Sequence, residues 1–149
     1  MAVTGKDKVE RFIRLWWDHS DTPRDLSGDL LPGTLTGGGK SLDEVEMTGV
    51  SDEFKNFLSG HANSEIAGQF YMNDTATTGA TTILNGSIGV PGTLTIRFGG
   101  GGAPATDDPE WEGEYVLLDA SIVLAGNKPV HQCRWLPSGS VAPAWGTVT

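Results

Sequence analysis

Cysteine, positive charge and long apolar runs are all scarce in this 149-residue chain. The lone Cys133 cannot form an intramolecular disulfide, so a secreted fold stapled by cross-links is excluded. Its strand-like setting, "HQCRW", suits a buried structural thiol better than a reactive one. Only ten Lys and Arg stand against nineteen Asp and Glu, a net charge of −9. Ordinary nucleic-acid binding, which needs cations to neutralise phosphates, is therefore disfavoured. A surface that nucleic acid passes without adsorbing is compatible with this charge. No apolar run approaches the roughly 18–20 residues needed to span a bilayer. The start "MAVTGKDKVERF" has no apolar stretch of a secretory leader, and synthesis in a cytoplasm is the expectation.

Glycine and proline are plentiful instead, at 21 and 8, and threonine is common. This composition fits an all-β domain with long turns better than a helical bundle. The length suits one domain over 1–149, able to bury roughly 70% of its unfolded surface. "VERFIRLWWD" (9–18) reads as a strand with bulky and charged residues on both faces. A loop at about 19–41 comes next, longer than compact domains usually carry without a function for it. It ends in "TGGGKS", which invites a phosphate-loop reading. That motif needs a glycine, four residues and then Gly-Lys-Ser/Thr, between a buried strand and a helix. The first glycine should stand at position 34, which holds Thr34, and "LDEVEM" continues as an acidic strand. The spacing, the charge and the missing helix favour a loop between strands, in which Gly37, Gly38 and Gly39 turn the chain back into the sheet.

Within "SDEFKNFLSG" the pattern predicts a helix at about 51–59. Ser51 can cap it, Asp52 and Glu53 suit its positive end, Phe54, Phe57 and Leu58 make one stripe, and Gly60 stops it. "EIAGQFYMN" (65–73) alternates as a half-buried strand, and Ile83, Leu84 and Ile88 suggest a short helix within 74–90. "GTLTIRFG" is a strand with Leu94, Ile96 and Phe98 on one side. "GGGAPATDDPE" reads as a flexible acidic loop, and "WEGEYVLLDASIVLAG" as a long strand with Val116, Leu118, Ala120, Ile122 and Leu124 inward. "KPVHQCRWLPSG" and "SVAPAWGTV" close the chain as strands. With no βαβ rhythm, the fold expected is mainly β, an antiparallel sandwich or barrel with one flanking α-helix.

Nothing assembles into an active site. His19, His61 and His131 have no metal-ligand spacing with one another or with Cys133. Asp107, Asp108, Glu110, Glu112 and Glu114 include a pair that a glycosidase could use, but a charge run is more commonly a solvated surface, and no calcium-loop pattern is present. No serine sits in a nucleophile elbow. The chain is read as a non-enzyme without cofactor or metal.

One stretch does carry a resemblance. "LDEVEMTGVSDEFKNFLSGHANSEIAGQFYMND" runs from an acidic strand through a Thr-Gly-x-Ser-Asp turn, an amphipathic segment ending in "SG" and an aromatic strand. It resembles the core of the major tail-tube proteins of long, flexible-tailed bacteriophages, and the order of elements on either side is similar. The insertion "GGGGAPATDDPEWEGE" and the Thr-rich 74–82 segment depart from the pattern. The resemblance implies a virion structural protein, made in a bacterial cytoplasm, that self-assembles into rings, typically hexamers. These stack into a tail tube with other phage tail proteins, and DNA passes through an acidic lumen. It also implies that the 19–41 loop, through Arg24, Asp25, Leu26, Asp29, Leu30, Leu31, Leu35 and Lys40, reaches an adjacent ring or subunit. The helix would pack on the sheet through Phe54, Phe57 and Leu58. The alternatives are another phage structural β-domain, such as a tail terminator or capsid decoration, and a carbohydrate-binding β-sandwich using exposed Trp16, Trp111, Trp135 or Trp145.

Overall fold

Strand-forming segments dominate the computed structural model, which describes residues 8–149; the stretch of 1–7 read for a leader lies outside them. Ten strands occur: β1 Lys8–Asp18, β2 Arg24–Asp25, β3 Thr36–Gly37, β4 Ser41–Glu46, β5 Phe57–Asn63, β6 Ile66–Tyr71, β7 Pro91–Gly100, β8 Pro109–Ala125, β9 Lys128–Pro137 and β10 Ala144–Thr147. The α-helix α1, Ala80–Asn85, falls within the 74–90 segment where a short helix was expected. No helix among the described residues is long and apolar enough to cross a membrane.

Eight strands form one antiparallel sheet in the order β2-β1-β7-β8-β9-β6-β3, with β10 also pairing β8. The sheet curls on itself. Trp17 of β1 meets Trp135 of β9 at 5.9 Å between ring centroids, although β7 and β8 lie between those strands. Phe70 of β6 joins them edge-on at 5.8 Å from Trp135. Around these rings lie Leu15, Leu94, Ile96, Trp111, Tyr115, Leu117, Ile66 and Cys133, all buried. Because successive strand residues face opposite sides, these positions are the inward half of each strand.

Alternation alone chose the wrong face for the first half of β8. Its first half buries Trp111, Tyr115 and Leu117, and the register with β9 then shifts between Leu117 and Asp119. Leu118 is therefore exposed, not inward as expected. Past the shift Ala120 pairs with Cys133 and packs on the core as expected, while Ile122 and Leu124, further along that face, are exposed by 70% and 72%. The run "YVLLDASIVLA" has apolar residues on both parities, so the large aromatic rings decide which face turns in, and a one-residue slip reverses everything beyond it.

The helix expected at 51–59 is absent. Phe57 and Leu58 belong to β5, which pairs antiparallel with β4 in a separate two-stranded ribbon. Residues 51–53 lie in the turn at its tip, where the polar side chains that suggested a helix start serve the turn instead. Asp52 Oδ2 accepts the Gly49 N–H at 2.6 Å and an Asn56 Nδ2 hydrogen at 3.1 Å, while Thr48 Oγ1 accepts the Asn56 N–H at 3.0 Å. Such local side-chain bonds compete directly with helix formation. Phe54, Phe57 and Leu58 are exposed rather than packed on the sheet.

Candidate functional site

The 19–41 loop closes the curled sheet. Arg24 and Asp25 pair with Trp17 and Trp16 of β1, and Asp25 Oδ1 accepts the Ser27 N–H. Leu26 is fully buried and donates its N–H to Leu15 O at 3.0 Å. Leu30 bridges to Phe70 of β6, and the partly buried Leu31 donates its N–H to Gln69 O at 2.9 Å. Leu30 and Leu35 pack against the core. The loop thus runs from the β1 edge to the β6 edge, and Leu26, Leu30 and Leu35 are held by the chain's own core. Leu26, expected to dock on a neighbour, is fully buried within its own chain and has little left to gain from a second surface, while Leu30 and Leu35 stay partly exposed. Asp29 has a local task too, because its Oδ2 accepts the Ala80 N–H at 3.1 Å and so caps α1, while both its carboxylate oxygens accept from Asn73 Nδ2. Of the expected interface residues, Asp25 and, at the loop's end, Lys40 are exposed.

Three consecutive glycines with left-handed backbone, φ 91°, 76° and 64° at Gly37, Gly38 and Gly39, then send the chain out of the sheet, not back into it. Gly37 lies so close to β6 that a Cβ would overlap Glu65 O. The next element is the strand β4, not a helix, so the "GGGKS" segment has neither the form nor the setting of a phosphate loop.

Along the β4–β5 ribbon, Leu42 pairs with Ala62 and Val45 with Leu58, across an irregularity between Leu42 and Glu44. The extra residue lies on β5, where Gly60 and His61 oppose Asp43, so β4 keeps its alternation. Val45, Met47 and Leu58 share one face with Asp43, and a Cβ on Gly60 would meet Asp43 and Val45 there. The opposite face carries Leu42, Glu44, Glu46, Phe57, Ser59 and Ala62. Apolar side chains thus stand on both faces of the ribbon, and every residue of β4 and all of β5 except Gly60 are exposed. At the tip stand Phe54, 76% exposed, and Val50, fully exposed.

A groove of about 410 Å³ lies at the ribbon's base, between Lys40, Ala62 and Asn63 and the segment Pro137–Pro143, with Trp111 and Ser64 also lining it. Its polar groups are already matched: Trp111 Nε1 donates to Tyr115 Oη at 2.8 Å, and that hydroxyl meets Ser64 Oγ at 2.8 Å. Glu114 fixes the far wall, since its Oε2 accepts the Ser140 and Val141 N–H groups at 2.8 and 3.3 Å. Gly113 lets Pro143 lie flat on β8, because a Cβ there would overlap Pro143 Cα.

The other candidates have local employment. Glu110 accepts from Arg97 Nε at 2.6 Å and Glu112 from Thr95 Oγ1 at 2.8 Å. Asp108 accepts the Ala105 N–H and pairs with Lys8, which together hold its carboxyl below the ordinary range. The acidic loop is therefore tied down at Asp108. Burial, with Asp119 nearby, pushes the Cys133 thiol up to about 12. Among the described residues no group of three or more His, Cys, Asp or Glu could hold a metal ion. Trp111 and Trp135 are buried, which removes two of the four rings from a carbohydrate platform. Trp145 leans on Phe98 and Trp111, and Arg97 covers Trp16 at 4.8 Å.

No protein-family model matches the chain, and no curated protein matches it in sequence. Its fold is similar to a chain of the sheath–tube complex of an extracellular contractile injection system, PVC, in the extended state: TM-score 0.56 and 12% identity over 97% of this chain and 95% of that one. It is also similar to a chain of the six-fold symmetrised baseplate of the anti-feeding prophage, with TM-score 0.54 and 10% identity over 89% and 90% of the two. The mainly β, antiparallel fold with a short helix is thus of the tail-tube kind. The solved neighbours come from contractile systems, so the likeness does not point to long, flexible tails in particular.

Proposed function

We propose that this chain is a structural subunit of a phage-like tail or injection particle, which self-assembles into rings, typically of six, that stack as a tube. One observation carries this reading. The β4–β5 ribbon leaves large apolar side chains on both its faces in water, on a chain whose fold is similar to a chain of such a particle. A two-stranded hairpin is at best marginally stable in water, and an exposed apolar patch marks an interaction surface. Covering Val45, Met47 and Leu58 on one face and the half-exposed Leu42 and Phe57 on the other is worth roughly 1 kcal/mol each, about 5 kcal/mol per ribbon when neighbouring copies cover both faces. The role is structural, not catalytic: the grooves and carboxylates serve packing and backbone capture.

Stacked rings surround a lumen, and the net charge of −9 per copy suits one through which DNA moves, since like charge keeps a polyanion off the wall. Other tail components would meet the tube at its two ends, within the virion tail. Electron microscopy of the purified protein at high concentration tests the reading. Rings or tubes with a central channel are expected; a particle that stays monomeric at every concentration refutes it. The baseplate neighbour supports a narrower variant, in which rings form but do not stack. Isolated rings without tubes would select that variant.

A further inference from the structure

We infer that the groove at the base of the ribbon is the acceptor for the ribbon tip of a second copy of this chain, joined head to tail. The inference rests on the assembly reading above and specifies its contact. Both halves of the contact are on one chain, and they are complementary. The tip offers Phe54 and Val50, apolar and unsupported, with Glu53 between them. The groove offers the apolar surfaces of Trp111, Val141, Pro143 and Ala62, with Lys40 on its rim. Neither Lys40 nor Glu53 has an ion-pair partner among the described residues. A phenylalanine buries on the order of 150–250 Å² when it enters such a site, and the acidic neighbour would meet the rim cation.

The groove is preformed. Its floor has matched hydrogen bonds in the Trp111–Tyr115–Ser64 chain, and its wall is pinned by Glu114, so little ordering is needed when a tip arrives. Its own tip cannot fill it. The six residues of β4 carry the tip about 20 Å from the base at roughly 3.3 Å per residue, and the ribbon is extended. The donor is therefore another molecule. Donor and acceptor are different surfaces, so each copy can give its tip to one neighbour and receive one from another. Such a heterologous contact closes into a ring or continues as a filament.

The test uses the full chain with Phe54→Cys and Val141→Cys, joined by a short bismaleimide. The buried Cys133 does not compete. The double variant should give a denaturing-gel ladder extending beyond dimer, either single variant alone should stay monomeric, and a mixture of the two single variants should stop at dimer. A ladder that ends at dimer in the double variant overturns the head-to-tail arrangement. Cross-linking of Phe54→Cys alone shows tip against tip and overturns the groove as acceptor. Rings or tubes that form without any cross-link refute the docking but leave the assembly reading standing; a monomer under all conditions refutes both. Charge exchange checks the same contact without cysteines. Lys40→Glu and Glu53→Lys should each weaken assembly about tenfold, and the pair together should restore it. No rescue by the pair overturns the Lys40–Glu53 contact.

Discussion

Replacing Gly37 by alanine tests how the ribbon is attached to the sheet. The geometry imposes two costs. Alanine must adopt φ 91°, which for a residue with a Cβ costs roughly 1–2 kcal/mol. Its Cβ must also share space with Glu65 O, a backbone atom that cannot rotate away. Strand β6 cannot retreat, because Ile66 on its other side pairs with Trp135 and both side chains are buried. Strand β3 must therefore lift. That endangers the pairing of Thr36 with Ala67 and of Gly37 with Ile66, together with the bond from Gly38 N–H to Glu65 O. Losing one or two net hydrogen bonds adds about 1–2 kcal/mol, for a total of roughly 2–4 kcal/mol.

Gly39→Ala supplies the control. Its φ of 64° is also left-handed, but nothing lies within 4 Å of the added methyl, so only about 1 kcal/mol is expected. Urea unfolding followed by tryptophan fluorescence reads the difference, since Trp17, Trp111 and Trp135 are buried. At a slope of about 2 kcal/mol per molar, Gly37→Ala should lower the midpoint by roughly 1–2 M and Gly39→Ala by about 0.5 M. Equal shifts would show that the close approach of β3 to β6 does not hold the ribbon root, and the reasoning would fail.

Asp29→Ala should cost about 2–3 kcal/mol, because it removes both the cap of α1 and the charged acceptor of Asn73, and the same urea titration measures it. Asp29→Asn should recover part of the loss. Cys133 should resist a thiol reagent in the native protein at pH 8 and react fully once unfolded, as mass spectrometry of the adducts would show. Its folded pKa lies above the unfolded value of 9.0, so the neutral thiol stabilises the fold fully below pH 9; that contribution declines from pH 9 towards 12, where the unfolded chain loses its proton first. Cys133→Ser should abolish this part of the alkaline decline in stability.

Much of the sheet was legible from the pattern of residues. β1, β6, β7 and β9 stand where alternation put them, and the inward Leu94 and Ile96 follow from period two alone. What alternation misjudged were places where another force sets the register. In β8, apolar residues on both parities left the choice to Trp111 and Tyr115. At 51–59, Asp52 and Asn56 formed a turn from residues that would equally start a helix. The loop leucines were recognised as docking residues, but sequence cannot say which surface they dock on, and the chain's own sheet edges were nearest. The ribbon's two-sided exposure did have a signal: in "LDEV" two apolar residues three apart cannot share one face of a strand. They stand on opposite faces of a regular strand, because the bulge lies in the partner β5. The groove had no local signal, since Lys40, Trp111 and Val141 come from distant parts of the chain.

The energies also say how assembly should proceed. About 5 kcal/mol from the ribbon's two faces together does not comfortably exceed the 4–15 kcal/mol or more estimated for losing the freedom of a second molecule. A single contact between two copies is therefore weak, and isolated dimers should be scarce. A copy entering the last gap of a ring makes two contacts and loses that freedom once, so its gain roughly doubles for the same entropic cost. Closed rings should then appear abruptly above a threshold concentration, with little dimer or trimer below it. Sedimentation velocity across a dilution series reads this directly. A boundary that moves smoothly from monomer through dimer, without a gap before the ring, would mean that the ribbon alone binds tightly, and that its exposed side chains are worth several kcal/mol more than their area supplies.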